Sequence, residues 1–382
     1  MNDFSFSIPQ NIRVGAGSLK LLPDLAGELG KRKAYIISGP HLYKTGMVAR
    51  CQEALETAGI ASECFTETEA NPCTETVEKA KNGFLACGAD FIVAFGGGSP
   101  LDVAKAVAVL VTFGGNITDY EGAGKVKGPL VPMIAIPTTA GTGSEVTAFS
   151  VITDHSRNYK FTISSPYLLP TYAILDPELI RTVPGKTAAA CGVDAMVHAM
   201  EAYISRAASP FSDMFAEKAL KLIGANIRNY VADRTDPEAC AAMLVGSLFA
   251  GIAFSHAKLG DVHAMSHPVS AYFDVPHGVA NAILLPTVID FNMSAAADKY
   301  YFIYSAITES PMEEKDFSPN MLGAEIRILN HQLGIASSLS EVGVKSDQFD
   351  AMAEDAMKSG NIFVNPRHTT KSDILDLYNQ AF

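Results

Sequence analysis

Two short segments of the sequence concentrate side chains that could bind a metal ion. In the first, residues 191–203 (CGVDAMVHAMEAY), Asp194 and His198 are four positions apart in a run with no helix breaker after Gly192. On a helix, positions i and i+4 share one face with Cβ atoms about 5–6 Å apart, so both side chains can reach one atom. A carboxylate combined with imidazoles favours Zn²⁺ or Fe²⁺ over Mg²⁺ or Ca²⁺, which prefer oxygen ligands alone.

The second segment, residues 260–286 (GDVHAMSHPVSAYFDVPHGVANAILLP), adds three histidines. His263 and His267 repeat the i, i+4 spacing, and His277 follows between a Pro and a Gly. One such pair is most often a surface or capping interaction. Two pairs and His277 in an apolar region indicate a metal site, because buried polar groups need partners. The spacing alone leaves open which of the three histidines are ligands.

A glycine-rich turn stands in the first half of the chain, at residues 95–102 (FGGGSPLD). An apolar strand candidate runs into the glycines, and Ser99 and Pro100 are typical of a helix N-cap and first helical position. Glycines let the backbone approach a ligand, and a helix N-terminus offers free N–H groups to an anion. The turn therefore predicts a pyrophosphate cradle, although Leu101 breaks the GxGxxG pattern and the turn alone is weak evidence.

A second loop, residues 137–145 (PTTAGTGSE), follows the apolar run at 133–136. It places hydroxyls and glycines at the end of a strand candidate, where a nucleotide could bind. An ordinary loop between a strand and a helix has the same pattern, so the sequence leaves both interpretations open.

The pattern of elements predicts two domains. Residues 1–184 alternate short apolar runs with helical segments, which favours a parallel α/β sheet. Ala-rich helical segments without a convincing strand dominate residues 185–382, which predicts an all-α domain. The individual assignments are strands at 34–38, 60–65 and 90–95, and helices at 46–58, 74–87 and 101–113.

Composition bounds the class of protein. The chain has 382 residues, a net charge of −12 and 48% hydrophobic residues, so it can form a large core and is a poor partner for nucleic acid. Its six cysteines have no CxxC spacing, and the N-terminus has no basic segment followed by a long apolar run, which favours a reduced cytoplasmic protein. Residues 239–257 carry no Asp, Glu, Lys or Arg. Because these residues directly precede the second histidine segment, we expect a buried core helix here and not a membrane span.

The two histidine segments together resemble a known family. DAxxHAxEAY followed by GxxHAMxHPxxAxxxxPHGxANAILLP is similar to the motifs of the iron-containing (group III) alcohol dehydrogenases, and the resemblance covers nearly the whole chain. It implies that the metal ligands are Asp194, His198, His263 and His277. It also implies that His267 lies near the metal and substrate without being a standard ligand, which makes it the candidate catalytic residue for relaying the proton.

The resemblance extends to the nucleotide. GGGSPxD is the family's dinucleotide-binding loop, and the threonines of PTTAGTGSE, a lysine in NYKFTI and an NP turn also lie near the cofactor. The residues that this implies as cofactor-binding are Asn71, Gly97, Gly98, Ser99, Asp102, Thr138, Thr139, Thr142 and Lys160.

The resemblance implies a fold and a reaction. The fold would be a Rossmann-like dinucleotide-binding domain and an all-α metal-binding domain, an architecture similar to that of dehydroquinate synthase. The reaction would be hydride transfer between NAD(P) and a small primary alcohol or diol, with Fe²⁺ or Zn²⁺, in a homodimer or higher homo-oligomer. A dehydroquinate synthase-like lyase and a non-catalytic metal-binding or filament-forming relative remain alternatives.

One position departs from the family pattern. The first strand of NAD-using relatives usually ends in a Ser/Thr-Asp pair, whereas this chain has Ser38-Gly39. A carboxylate there can bind the ribose 2′-hydroxyl of NAD and would repel the 2′-phosphate of NADP. Gly39 removes both effects, so we predict that NADPH is accepted, with Ser38, His41 and Lys44 as candidate phosphate contacts. A simple turn before Pro40 is the alternative.

Overall fold

The computed structural model describes residues 4–8 and 10–382, and these form two compact units. The α/β unit comprises Ile8–Thr139 and Ser144–Thr182. The helical unit comprises residues 4–7, Ala140–Gly143 and Val183–Phe382. The sequence prediction assigned residues 1–184 to the first domain, whereas residues 4–7, 140–143 and 183–184 group with the helical unit.

A six-stranded parallel sheet forms the centre of the α/β unit, with strand order β1-β9-β6-β4-β2-β3. A three-stranded sheet, β5-β8-β7, accompanies it. The strands are β1 (Asn11–Val14), β2 (Lys33–Ile37), β3 (Ala61–Phe65), β4 (Phe91–Gly96), β5 (Gly122–Ala123), β6 (Met133–Pro137), β7 (Phe149–Asp154), β8 (Tyr159–Ser164) and β9 (Tyr172–Leu175). The helices of this unit are α1 (Leu22–Glu28), α2 (Pro40–Lys44), α3 (Met47–Glu56), α4 (Thr74–Cys87) and α5 (Gly98–Phe113).

The inner strand β4 shows why the sheet is covered on both faces. All six of its residues are buried, as expected of an apolar run in a parallel sheet between two helical layers. Ile92 and Ala94 belong to one hydrophobic cluster, and Phe91, Val93 and Phe95 belong to another. The first cluster contains side chains of α4 and α5, and the second contains side chains of α1 and α3. The alternation follows from the two-residue period of a strand.

The structure confirms the α/β assignment and corrects one local detail. Helix α5 begins at Gly98 with Gly97 as its N-cap, earlier than the predicted start at Ser99 and Pro100. The Ser99 hydroxyl instead donates to the backbone oxygen of Ala70 at 2.6 Å, so it does not cap the helix. The antiparallel β7–β8 pair, in which Phe149 lies opposite Ser164, was not predicted from the sequence.

The rest of the helical unit, from Gly185 onward, has only helices among its regular elements, as predicted. They are α6 (Gly185–Ile204), α7 (Pro210–Ala232), α8 (Pro237–Ala257), α9 (Asp261–Phe273), α10 (His277–Ile307), α11 (Met321–Gln332), α12 (Phe349–Met357) and α13 (Lys371–Ala381). Helices α8 and α10 are long and apolar enough to cross a membrane by composition alone, but 67% of the most apolar window of each is buried inside the protein. Their apolar character is therefore that of core helices.

Candidate active site

Helix α6 presents two of the predicted ligands on one buried face. Asp194 and His198 are 3% and 5% exposed, and His198 Nε2 lies 3.9 Å from Asp194 Oδ1. The His198 ring stacks on Phe254 of α8, with ring centroids 4.5 Å apart. The i, i+4 spacing thus places both side chains as the sequence predicted.

Helices α9 and α10 bring two histidines to the same carboxylate. His263, in the first turn of α9, has its Nε2 3.7 Å from Asp194 Oδ1, and His277, the first residue of α10, has its Nε2 3.9 Å from that oxygen. Ligand atoms of these three residues all lie within 4.8 Å of one another, as expected of a metal-binding group. His198 lies beside this group but is not a member of it by that distance, so its role as fourth ligand stays a prediction.

The hydrogen bonds among Asp194, His263, His277 and Asn281 are compatible with a cation bound between them. The Asn281 amide nitrogen lies 2.6 Å from Asp194 Oδ1 and 3.2 Å from Nε2 of both His263 and His277. One amide group has two N–H donors for these three acceptors. The amide therefore cannot donate to all three atoms at once, whereas a cation lying among them could bind all three, and one carboxylate with several imidazoles suits Zn²⁺ or Fe²⁺.

The pKa values of the cluster reflect burial and close opposite charges. Burial lowers the pKa of His198 to about 4, so its imidazole is neutral, as a metal ligand must be. Burial acts to lower the pKa of His263, but the Glu201 and Asp194 carboxylates outweigh this effect and raise the pKa to about 9. Burial acts to raise the pKa of Asp194, but His198 and the other histidines hold it well below its usual range.

Two residues of this site were not predicted from the sequence. Glu201 Oε2 lies 2.5 Å from His263 Nδ1, and Asn281 contacts the ligand atoms directly. Glu201 is seven residues after Asp194, and Asn281 is four residues after His277, so each shares a helical face with a predicted ligand. That periodicity is the signal that could have identified both.

His267 lies next to the ligand group on helix α9. Its ring centroid is 5.2 Å from that of His277 and 6.3 Å from that of His263. It is absent from the group of converging ligand atoms. Its position is compatible with a proton-transfer role, which stays a prediction.

The predicted nucleotide loops meet at the carboxyl ends of two neighbouring parallel strands. Gly96 of β4 pairs with Pro137 of β6, and the Thr138 amide donates to the Gly96 oxygen at 2.9 Å. A Cβ built on Gly97 would lie 3.2 Å from Thr139 Oγ1, so glycine permits this close approach. Ligands of open parallel sheets bind at such carboxyl ends. Gly97, Gly98, Thr138 and Thr139 are thus brought together.

Two further predicted cofactor residues join the same region through hydrogen bonds. Lys160 Nζ, on β8, donates to Asn71 Oδ1 at 2.6 Å. Ser99 bonds to Ala70, which precedes Asn71. The loop after β3, the start of α5 and strand β8 are therefore connected to one another.

Both carboxylate oxygens of Asp102, a predicted cofactor-binding residue, accept hydrogen bonds from the protein. Its Oδ1 accepts from the Ser144 hydroxyl at 2.7 Å, and its Oδ2 accepts from the Val151 amide at 3.1 Å. Lys105, three residues later and fully buried, donates from Nζ to the backbone oxygens of Ser144, Thr147 and Phe149 at 2.6–2.9 Å. Both side chains of α5 hold the segment 144–151, so a direct contact of Asp102 with the cofactor stays a prediction.

The sequence reading did not single out Lys105. The feature that could have indicated Lys105 is a single cationic residue among apolar ones in residues 103–111, VAKAVAVLV. Burial lowers its pKa to about 8, against the attraction of Asp102 and Glu145.

Thr142 belongs to the helical unit, whereas Thr138 and Thr139 belong to the α/β unit. Its neighbours Gly141 and Gly143 pack tightly there: a Cβ on Gly141 would lie 2.8 Å from Cys191 Cβ, and one on Gly143 would lie 2.7 Å from Gly251 Cα. The glycines of this motif thus serve packing on α6 and α8.

Gly39 caps the short helix α2 in an extended conformation, with φ −109° and ψ 165°. A Cβ at this position would lie 3.3 Å from the Thr68 oxygen. Of the three candidate phosphate contacts, Ser38 is fully buried, whereas His41 and Lys44 are exposed. The burial argues against Ser38 as a phosphate contact.

Comparison with known proteins agrees with this arrangement. A family described as iron-containing alcohol dehydrogenase matches residues 9–177, and one described as the C-terminal part of the Fe-containing alcohol dehydrogenase family matches residues 188–382. The chain is 38% identical to the 1,3-propanediol dehydrogenase of Citrobacter freundii over 99% of each chain. It is 35% identical to the NAD-dependent methanol dehydrogenase of Bacillus methanolicus, again over 99% of each.

Solved structures show the same fold. A crystal structure of 1,3-propanediol oxidoreductase, 37% identical, superposes with a TM-score of 0.95 and covers 100% of both chains. The chain belongs to the iron-containing alcohol dehydrogenase family. Its chemistry is that of an oxidoreductase acting on small alcohols and aldehydes, which decides against the dehydroquinate synthase-like lyase.

Proposed function

We propose that the chain is a metal-dependent alcohol dehydrogenase or aldehyde reductase that transfers a hydride between NAD(P) and a small primary alcohol or diol. The observation that carries this proposal is the convergence of Asp194, His263 and His277 on one point in a chain of this family. A merely metal-binding or filament-forming relative would not need the nucleotide loops that meet at the ends of β4 and β6.

The residues have separate roles in this proposal. Asp194, His198, His263 and His277 would hold one Fe²⁺ or Zn²⁺. When bound, the ion would act as a Lewis acid toward the alcohol or carbonyl oxygen. His267 would exchange the alcohol proton with solvent, since an imidazole can both accept and donate near neutral pH.

The nucleotide would be held mainly by residues of the α/β unit. Gly97, Gly98 and the amides that begin α5 would bind the pyrophosphate. Ser99, Thr138, Thr139 and Thr142 would offer hydroxyls. Lys160 and Asn71 would lie near the nicotinamide ribose, and Asp102 would support this loop through Ser144 and Val151.

The direct test combines metal content with turnover. We expect protein purified without oxygen to contain about one Fe or Zn per chain and to oxidise NADH or NADPH with a panel of short aldehydes. Recovered Zn would not contradict the use of iron in the cell, because intrinsic affinity favours Zn²⁺ over Fe²⁺.

The matched variant is His277→Ala, which removes one ligand at the start of α10. We expect it to lose both the metal and the activity. Full turnover by metal-free protein, or by His277→Ala protein without metal, would contradict the proposal.

We also propose a cytoplasmic homodimer or higher homo-oligomer. All six cysteines are free, which is compatible with a reducing compartment. Light scattering coupled to size-exclusion chromatography would measure the oligomeric state, and a monomer at working concentration would contradict that part.

A further inference from the structure

We propose that Glu201 is a positioning residue that holds His263 in the tautomer whose Nε2 can bind the metal. This inference rests on the proposed metal site. Glu201 is 4% exposed and lies on the same stripe of α6 as Asp194 and His198, at spacings of seven and three residues. One helix therefore supplies two predicted ligands and the carboxylate that faces a third.

Both oxygens of Glu201 are engaged by the first turn of α9. Oε2 lies 2.5 Å from His263 Nδ1, and Oε1 accepts from the Val262 amide at 2.7 Å. Because a carboxylate only accepts, the hydrogen between it and the imidazole belongs on Nδ1. Nε2, 3.7 Å from Asp194 Oδ1, is then the ring nitrogen left to bind the metal.

The same carboxylate compensates for a missing local cap on α9. Gly260 is the N-cap and has no side chain, so the first free amides of the helix need acceptors from elsewhere. Asn365 Oδ1 accepts from the Asp261 amide at 3.3 Å, and Glu201 accepts from Val262. A Cβ on Gly260 would lie 2.9 Å from Asn365 Oδ1 and 3.0 Å from Glu201 Oε1, so the glycine lets both acceptors approach closely. Glu201 thus contributes both to the position of His263 and to the start of its helix.

The variant Glu201→Gln separates hydrogen-bond chemistry from shape. The Val262 amide can only donate, so it would take the single amide oxygen of the glutamine. The glutamine NH₂ would then face His263 Nδ1, which would have to accept, and the ring hydrogen would move to Nε2. A protonated Nε2 cannot bind the ion, so the isosteric change should act on metal affinity.

The experiment measures the dissociation constants of Zn²⁺ and Co²⁺ for metal-free protein by competition with a chelator. We expect Glu201→Gln to weaken both by roughly 10–100-fold, the usual effect of losing a partner behind a metal-bound histidine. Glu201→Asp keeps a carboxylate and should recover part of the affinity. The visible spectrum of bound Co²⁺ should change in Glu201→Gln, since one ligand is weakened.

Two controls distinguish this role from a merely structural one. Glu217→Gln removes a carboxylate that accepts a hydrogen bond from the Tyr203 hydroxyl and has no contact with the ligand group. This variant should bind metal normally. Asn365→Ala removes the other cap of α9 without touching the His263 ring. It should lower the melting temperature of the metal-free protein while affecting metal affinity much less than Glu201→Gln does.

The outcomes separate this inference from the proposed function. Wild-type affinity in Glu201→Gln, or an equal loss in Asn365→Ala, would overturn the positioning role and leave the metal site standing. Wild-type protein that binds neither Zn²⁺ nor Co²⁺ would overturn the metal site itself, and the inference with it.

Discussion

His267 stands beside the ligand group with its ring 5.2 Å from that of His277, and it is half-buried on the face of α9 that also carries His263. A histidine in this place can serve as a ligand, as a proton relay or as a packing residue. These three roles differ in what its removal does to the metal and to turnover.

We predict that His267→Ala keeps its metal and loses activity. Turnover should fall by about 10²–10⁴-fold, the usual contribution of general acid–base catalysis. Metal content and steady-state rates should be measured on the same preparation. Loss of the metal would make His267 a ligand, and unchanged rates would make it a packing residue.

Gly39 is the residue at which nucleotide preference can be tested. Its φ and ψ suit any residue, so an aspartate there requires only that the Thr68 carbonyl, 3.3 Å from the new Cβ, move slightly. We predict that the wild type accepts NADPH.

Gly39→Asp should shift the ratio of kcat/KM toward NADH by roughly ten- to a hundredfold, because a charge-assisted hydrogen bond contributes about 1.5–3 kcal/mol. Both cofactors should be compared with one aldehyde, and the exposed Lys44→Ala tests the phosphate contact separately. Strict NADH dependence of the wild type, with no change on adding Asp, would refute this interpretation of Gly39.

Glu145, at the end of the PTTAGTGSE loop, links stability to pH. Burial raises its pKa to about 7, against a partial lowering by its own backbone and by Lys105. In the unfolded chain the Glu145 carboxyl loses its proton near the ordinary pKa of about 4.3, whereas in the folded protein it stays protonated up to about pH 7. The free energy of unfolding therefore falls as the pH rises from about 4.5 to 7.

We predict that Glu145→Gln removes this loss. Its free energy of unfolding should exceed that of the wild type by about 1–3 kcal/mol at pH 8, and the difference should shrink toward pH 4.5. Denaturant titrations at several pH values measure it. A difference that is constant across this range would show that Glu145 does not titrate in it.

At the scale of elements, the positions of the predicted ligand histidines depend on how closely the helices of the helical unit approach one another. Helix α10 begins at His277, and its next residue, Gly278, faces the backbone of α6. A Cβ on Gly278 would lie 2.3 Å from the Ala190 oxygen. The glycine of the PHG motif is therefore required by packing, and this packing also sets the place of His277.

We predict that Gly278→Ala separates α10 from α6 and weakens metal binding. Overpacking typically costs about 1–3 kcal/mol of stability, and the displaced His277 should lower metal affinity as well. Gly27→Ala is the control, because nothing lies within 4 Å of its new Cβ in α1. Thermal unfolding and metal titration of both variants would check this, and normal metal binding by Gly278→Ala would contradict it.

At the scale of the whole molecule, the proposed metal site links α6, which ends at Ile204, to α9 and α10, which begin at Asp261 and His277. An ion that binds only the folded state stabilises it by mass action, by about 2.7 kcal/mol at a hundredfold excess over its Kd.

We therefore expect a chelator to lower the melting temperature and added Zn²⁺ or Fe²⁺ to restore it. For a unit of about 200 residues the shift should be roughly 5–10 °C. Differential scanning calorimetry with and without metal measures it, and His277→Ala should show no such shift. Equal melting temperatures of wild-type protein with and without metal would contradict a metal site that bridges these helices.

Much of this protein was determined by local sequence. The predicted helix at 74–87 is helix α4 as observed, and the buried run at 90–95 became the inner strand β4 with a shift of one residue. Asp194 and His198 share a helical face because a 3.6-residue period requires it. These features depend on neighbours in the chain, which the sequence displays directly.

The tertiary structure alone decided how the site is supported. Glu201 meets His263 across 62 residues, and Lys105 reaches the oxygens of Ser144 and Phe149 across 39 and 44 residues. The carboxylate of Asp102 accepts hydrogen bonds from Ser144 and Val151, 42 and 49 residues further along the chain. No local pattern encodes these contacts, because they arise only when packed helices and strands leave buried polar groups that must find partners wherever the fold places them.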